Sequence, residues 1–108
     1  MDAEYFLSKY KKGDFVVIGH FVTIFDSMAD RNSYHAIKFH AVYSLNTGYV
    51  SVHLNGNAQV GIGCVETYME RQIRPATNKE KRTLLTAMYD SRHVRWNEET
   101  MCIENVGF

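Results

Sequence analysis

The sequence predicts an α+β fold, mostly antiparallel β, built as a small bent sheet or SH3-like barrel with one C-terminal α-helix and a terminal β-hairpin. Three observations predict it. Five or six short β-rich runs, separated by tight turn signals, fill the first two thirds of the chain. One stretch, Arg74 to Asp90, carries a written-out helix start. A second pair of β-rich runs, Val94-Arg95-Trp96 and Met101-Cys102-Ile103, follows it across a polar turn. With 108 residues, the chain has the length of one domain spanning 1–108, with a β-rich part over 1–73 and a helix-plus-hairpin module over 74–108.

Taken in order, residues 2–12 have the makings of one or two helical turns. Asp2 is the candidate cap, Phe6, Leu7 and Tyr10 share a face, and Gly13 ends it. Phe15-Val16-Val17-Ile18 and Phe21 to Phe25 are almost continuously apolar, which predicts strands covered on both faces or a tightly curled sheet. Asp26 to Ser33 reads as the longest polar loop. From His35 to Tyr43 the alternation has period two. His35, Ile37, Phe39, Ala41 and Tyr43 fall on one face, and Ala36, Lys38, His40 and Val42 on the other. Asn46-Thr47-Gly48 is a hairpin turn, after which Val50, Val52 and Leu54 point inward and Tyr49, Ser51 and His53 outward. Asn55-Gly56-Asn57 is another turn signal. Ala58 to Ile62 is a weaker strand, with Gly61 and Gly63 able to supply a bend. Cys64 to Ile73 reads as a further strand, with Val65 and Thr67 alternating against Glu66 and Tyr68.

At the helix, Pro75 marks the end of the β connection. Thr77 caps the first free N–H groups, and Glu80, three residues on, reaches back to complete a capping box. Leu84, Leu85 and Met88 form the apolar face, with Lys79, Arg82, Thr83, Thr86 and Asp90 opposite. Lys81 falls on the apolar side, where its stem can cover core surface. In the hairpin, Trp96 and Ile103 are the inward anchors.

Hydrophobic residues at 45% and charged residues at 22% are ordinary for a globular protein. The formal net charge of zero argues against a strong nonspecific polyanion binder. The charge is uneven, however. Arg71 to Arg95 holds seven Lys or Arg against two acids, and Gly13 to Glu70 two against five. Such a run is ordinarily a solvated helix face. The two cysteines, Cys64 and Cys102, are too few and too far apart for a disulfide framework and read as free, half-buried thiols. The N-terminus lacks the pattern of a signal peptide, and no run approaches a membrane span, so a cytoplasmic protein with no membrane partner is expected.

Arg74-Pro75-Ala76-Thr77 with Glu80-Lys81, then Leu84-Leu85, then Trp96-Asn97 with Glu99, resembles the C-terminal module of a loose group of small uncharacterised proteins from gut bacteria and their phages. Lys12-Gly13-Asp14 is similar to the start of their β-rich part. The resemblance implies a phage or mobile-element context and a small β-domain fold. It implies no activity, so it assigns no functional residues.

No catalytic or ligand-binding constellation rises above background. His40 and His53 sit outward on paired strands, but two ligands fall short of the three or four that zinc takes, so no metal is expected. Cys64 with a histidine could be written as nucleophile and base, yet nothing fixes the partner. Gly61-Ile62-Gly63 lacks the Lys-Ser/Thr of a phosphate loop, and Asp26, Asp30 and Asn32 lack calcium-loop spacing. The strongest candidate site is the basic set Arg71, Arg74, Lys79, Arg82, Arg92 and Arg95, with Tyr68 and Trp96 interleaved, which could hold a phosphate backbone and stack bases. Thr77, Glu80 and Trp96 are assigned structural roles. The expected function is a non-enzymatic accessory or interaction protein with an unknown protein partner and no cofactor. The first alternative is a nucleic-acid-binding small β-barrel, and the weaker one a small enzyme using Cys64 or a histidine pair. The oligomeric state is not legible in the sequence.

Overall fold

In a computed structural model, residues 8–28, 37–52 and 73–106 are described. Their order is β1 (Phe15–Ile18), β2 (Phe21–Met28), β3 (Ile37–Ser44), β4 (Val50–Val52), β5 (Ile73–Pro75), α1 (Asn78–Arg92), β6 (Val94–Asn97) and β7 (Cys102–Asn105). The first five strands form one antiparallel sheet in the order β4-β3-β2-β1-β5, and β6 and β7 pair separately as a hairpin. The fold is therefore α+β. Among the described residues the sheet is open, with β4 and β5 at its edges, which decides for the bent sheet over the SH3-like barrel.

All four residues of β1 are buried, as a run of four apolar β-formers predicts. Its alternate side chains serve two different cores. Phe15 and Val17 join Val22, Ile24, Ala41 and Val50 beneath Leu84 and Met88 of α1 and Val94, Trp96 and Ile103 of the hairpin. Val16 and Ile18 join Phe25, Ile37, Phe39 and Val42 in a second cluster, with Tyr10, Phe21 and Ile73 packed against it. Thr23, fully buried among these apolar groups, donates its hydroxyl to the Val16 carbonyl at 2.7 Å, so the polar atom is satisfied.

Two expectations for this sheet are corrected. The loop expected over Asp26–Ser33 does not begin at Asp26, because β2 continues to Met28. Nor do Ile37, Phe39, Ala41 and Tyr43 share one environment. Ala41 lies opposite Ile24 and Phe39 opposite Phe25, which leaves His40 as an extra residue on β3. The next pair is Lys38 with Ser27, which leaves Asp26 as an extra residue on β2. Each strand thus carries a bulge. Ala41 and Tyr43 consequently pack with the first cluster, and Ile37 and Phe39 with the second.

The Asn46-Thr47-Gly48 turn joins β3 to β4. Gly48 has φ of +74°, a left-handed conformation that favours glycine, and its N–H donates to the Ser44 carbonyl at 2.8 Å. Gly13 has φ of +90°, and a Cβ there would run into the Met101 sulfur of the β6–β7 turn. The strands expected over 53–72, with Gly61, Gly63, Cys64 and Tyr68, lie outside the described residues.

The helix begins as its sequence predicts and runs two residues beyond Asp90. Thr77 Oγ1 accepts the Glu80 N–H at 3.2 Å, and Glu80 Oε1 accepts the Thr77 N–H at 2.9 Å, a complete capping box. At the other end His93 adopts the left-handed conformation, and its N–H returns to the last turn. Leu84 and Met88 are fully buried and Leu85 half-buried. In the hairpin Trp96 pairs with Ile103, and both are buried. Cys102, expected half-buried, is exposed as a free thiol, because it lies on the face of β7 opposite Ile103. None of the helices among the described residues is long and apolar enough to cross a membrane.

Thr77→Ala removes one half of the capping box and is expected to cost roughly 1 kcal/mol. Glu80→Ala removes the other half, and the double variant loses less than the sum because the two hydrogen bonds form one unit. Urea denaturation of the three variants checks this. Fully additive losses would mean that the two hydrogen bonds act independently.

Candidate functional site

The basic residues that the sequence groups together are divided by the structure. Arg74, at the middle of β5, places its two terminal nitrogens 2.7 Å from the two carboxylate oxygens of Glu80, a bidentate pair. Arg95, on β6, bonds Glu104 on the facing β7 through Nε at 3.0 Å and Nη2 at 2.9 Å. Asn97 donates to the other Glu104 oxygen at 2.8 Å. Both carboxyl groups are held below their ordinary value. Glu80 goes down to about 2, mainly through the Arg74 hydrogen bonds, and Glu104 is lowered first by Asn97 and then by Arg95.

Arg92, in the last turn of α1, reaches across to the sheet edge. Its Nε and Nη2 donate to the Val50 carbonyl at 3.3 and 3.0 Å, and Nη2 also donates to the Tyr49 hydroxyl at 3.1 Å. The guanidinium lies 5.4 Å from the Tyr49 ring centroid. A side chain on the edge carbonyl of β4 occupies a group that would otherwise be open to a further strand. Lys81 lies with its ammonium 4.8 Å from the centre of the Phe15 ring.

Lys79 and Arg82 differ from the rest. Both are exposed, and among the described residues their side chains make no hydrogen bond or ion pair. They line a groove of about 580 Å³ between the outer face of α1 and the β3–β4 hairpin. Thr83, Thr86, Ala87, Asp90 and Ser91 continue its helix wall, and Tyr43 and Gly48 form the opposite side. The polar helix face read from the sequence is thus the wall of a concavity. At the end of the hairpin turn, Tyr49 is 63% exposed.

Trp96 is not a stacking platform at the surface. Its ring meets Phe15 edge-on, with centroids 6.5 Å apart, and belongs to the core shared with Leu84 and Met88. Arg71, Tyr68, His53 and Cys64 lie outside the described residues, so the expectations that rest on them stay with the sequence. His40, expected to point outward, is instead buried at 3% exposure. The β3 bulge turns it inward, so its ring lies 4.8 Å from that of Trp96 and its Nε2 lies 3.1 Å from Asp26 Oδ1. Among the described residues neither ring nitrogen has an aligned hydrogen-bond partner. Burial pushes the His40 imidazole below its ordinary value. Asp26 opposes this, and the Lys12 ammonium, 3.8 Å from Asp26, adds to the lowering. Among the described residues no group of three or more His, Cys, Asp or Glu could hold a metal ion.

Sequence reasoning missed the His40–Asp26 pair and the tyrosine side of the groove. The pair had a signal, a carboxylate and an imidazole inside otherwise apolar β runs. The groove had none, because its walls are distant in sequence. Compared with protein-family models, curated proteins and solved structures, the chain matches none of them.

The Arg74–Glu80 pair has a pH signature. Glu80 ionises more easily in the folded chain than at its ordinary value of 4.5, so its contribution is fully present above about 4.5. That contribution is lost as pH falls toward about 2. Arg74→Gln should therefore flatten the acid limb of the stability–pH curve measured by urea denaturation. An unchanged limb would mean that the pair contributes nothing to folding.

Proposed function

We propose that the chain is a non-enzymatic interaction protein, and that it docks an acidic segment of a partner protein in the groove between α1 and the β3–β4 hairpin. The observation that carries this reading is the division of the cations. Arg74, Arg92 and Arg95 are engaged within the fold, while Lys79 and Arg82 face one concavity with their charges uncompensated by any described side chain. The threonines and Tyr43 add hydrogen-bonding groups, and Tyr49 adds an exposed ring beside them. Cationic side chains that line a concavity recognise separate carboxylates on an extended peptide.

Nucleic acid is the second reading, favoured by the same two cations beside Tyr43. It ranks lower because two cations are few for a continuous run of phosphates, and because the net charge is zero. The phage or mobile-element context and the cytoplasmic setting belong to this proposal and rest on the sequence resemblance and composition.

Two fluorescein-labelled probes test it, a glutamate-rich peptide of about ten residues and an oligothymidylate of similar length. The peptide is expected to bind, and Lys79→Glu with Arg82→Glu should weaken it at least about tenfold, ~1.4 kcal/mol. Tighter, steeply salt-dependent binding of the oligonucleotide would transfer the groove to nucleic acid. Failure of both probes would remove the groove as a docking site.

A further inference from the structure

His40 is the conspicuous polar side chain of the interior, and neither the capping network nor the groove uses it. Its surroundings come from three parts of the chain. β2 brings Asp26, the turn before β1 brings Lys12, and β6 brings Trp96. The two bulges place His40 and Asp26 side by side, each an extra residue on its own strand. A bulge costs ladder hydrogen bonds and is a common device for re-aiming a side chain. Here the re-aimed side chain is an imidazole whose nitrogens lack aligned partners among the described residues.

We propose that His40 is a proton-operated latch for the C-terminal hairpin: neutral, it packs against Trp96 and holds β6 and β7 on the sheet, and protonated, it releases them. The hairpin depends on that contact because Val94, Trp96 and Ile103 are its buried anchors, and Trp96 is the largest of them. A charged imidazolium at 3% exposure is poorly solvated where it sits. Among the described residues, the charged groups that face it are Asp26, which attracts the added proton, and Lys12, which repels it. β6 presents the uncharged Trp96. Hydrating the charge requires water at the ring, and moving Trp96 aside opens a path for it.

The direction follows from linkage. His40 holds a proton less readily in the folded chain than at its ordinary value of 6.5. The latch is therefore closed above about pH 6.5 and opens as pH falls through the folded value. The only tryptophan in the chain sits at the contact, so the event has a local reporter.

The test is a pH titration of the full chain from about pH 8 to about pH 5, above the range in which most carboxylates titrate. NMR follows the His40 ring Cε1–H, the Trp96 indole N–H and the β1 and β2 amides, and fluorescence follows Trp96. The expected result is one midpoint below 6.5 shared by the His40 and Trp96 signals, with a red shift of the emission and the β1 and β2 amide signals retained at folded positions. His40→Gln should remove the Trp96 transition, and Asp26→Asn should lower its midpoint. Titration of His40 with Trp96 unmoved would overturn the latch, as would a Trp96 transition that persists in His40→Gln or loss of the β1 and β2 signals at the same midpoint. Should His40→Gln not fold, the wild-type NMR comparison decides by itself.

Discussion

β1 buries both of its faces, and the rest of the structure follows from that constraint. A strand reading Phe-Val-Val-Ile sends alternate side chains to opposite sides, so each side must be covered. On one side the cover is α1 together with the β6–β7 hairpin, which meet the sheet through Leu84, Met88, Trp96 and Ile103. Phe15 is the pivot of that layer. Its ring meets Trp96 edge-on and lies under the Lys81 ammonium, so one side chain of the sheet touches both the hairpin and the helix. The bulges at Asp26 and His40 serve the same two-sided demand. They let β3 deliver Ala41 and Tyr43 to one core and Ile37 and Phe39 to the other.

The charges around α1 are arranged by the fold before any partner arrives. Glu80 belongs both to the capping box and to a bidentate pair with Arg74, which ties the helix start to β5. Arg92 ties the helix end to the edge of β4. What remains for recognition is the first half of the helix, where Lys79 and Arg82 line the groove that Tyr43 faces. A basic stretch in sequence is therefore not a basic face in space. Surface ion pairs such as Arg95–Glu104 add little stability, but they remove charge from the surface that a polyanion would meet.

The legible parts of the fold were those set by local chemistry. Thr77 and Glu80 announce the helix start, Asn46-Thr47-Gly48 announces its hairpin, and Trp96 and Ile103 stand opposite each other as alternation requires. The bulges were not legible. An extra residue on each of two paired strands leaves the alternation from Ile37 to Tyr43 looking unbroken, and the change of side appears only when both strands are aligned. Asp26 and Ser27 resembled loop residues because their composition is that of loops, while the apolar residues of β2 before them and Lys38 opposite Ser27 keep them in the sheet. For the candidate site, Lys79 and Arg82 were visible as polar helix residues, but the concavity depends on a hairpin more than thirty residues earlier in the chain. His40 carried the wrong expectation for the same reason as Asp26, since a polar side chain on a strand was assigned to solvent.

The central claim is that helix, hairpin and sheet are held by one shared core around Phe15 and Trp96. Equilibrium urea unfolding at neutral pH, followed in parallel by Trp96 emission and by far-UV circular dichroism, tests it most directly. The account predicts superimposable transitions, because at neutral pH, with the His40 latch closed, the hairpin stays packed on Phe15, Leu84 and Met88. A Trp96 transition at clearly lower urea than the loss of secondary structure would contradict it, showing the hairpin to be a separate unit.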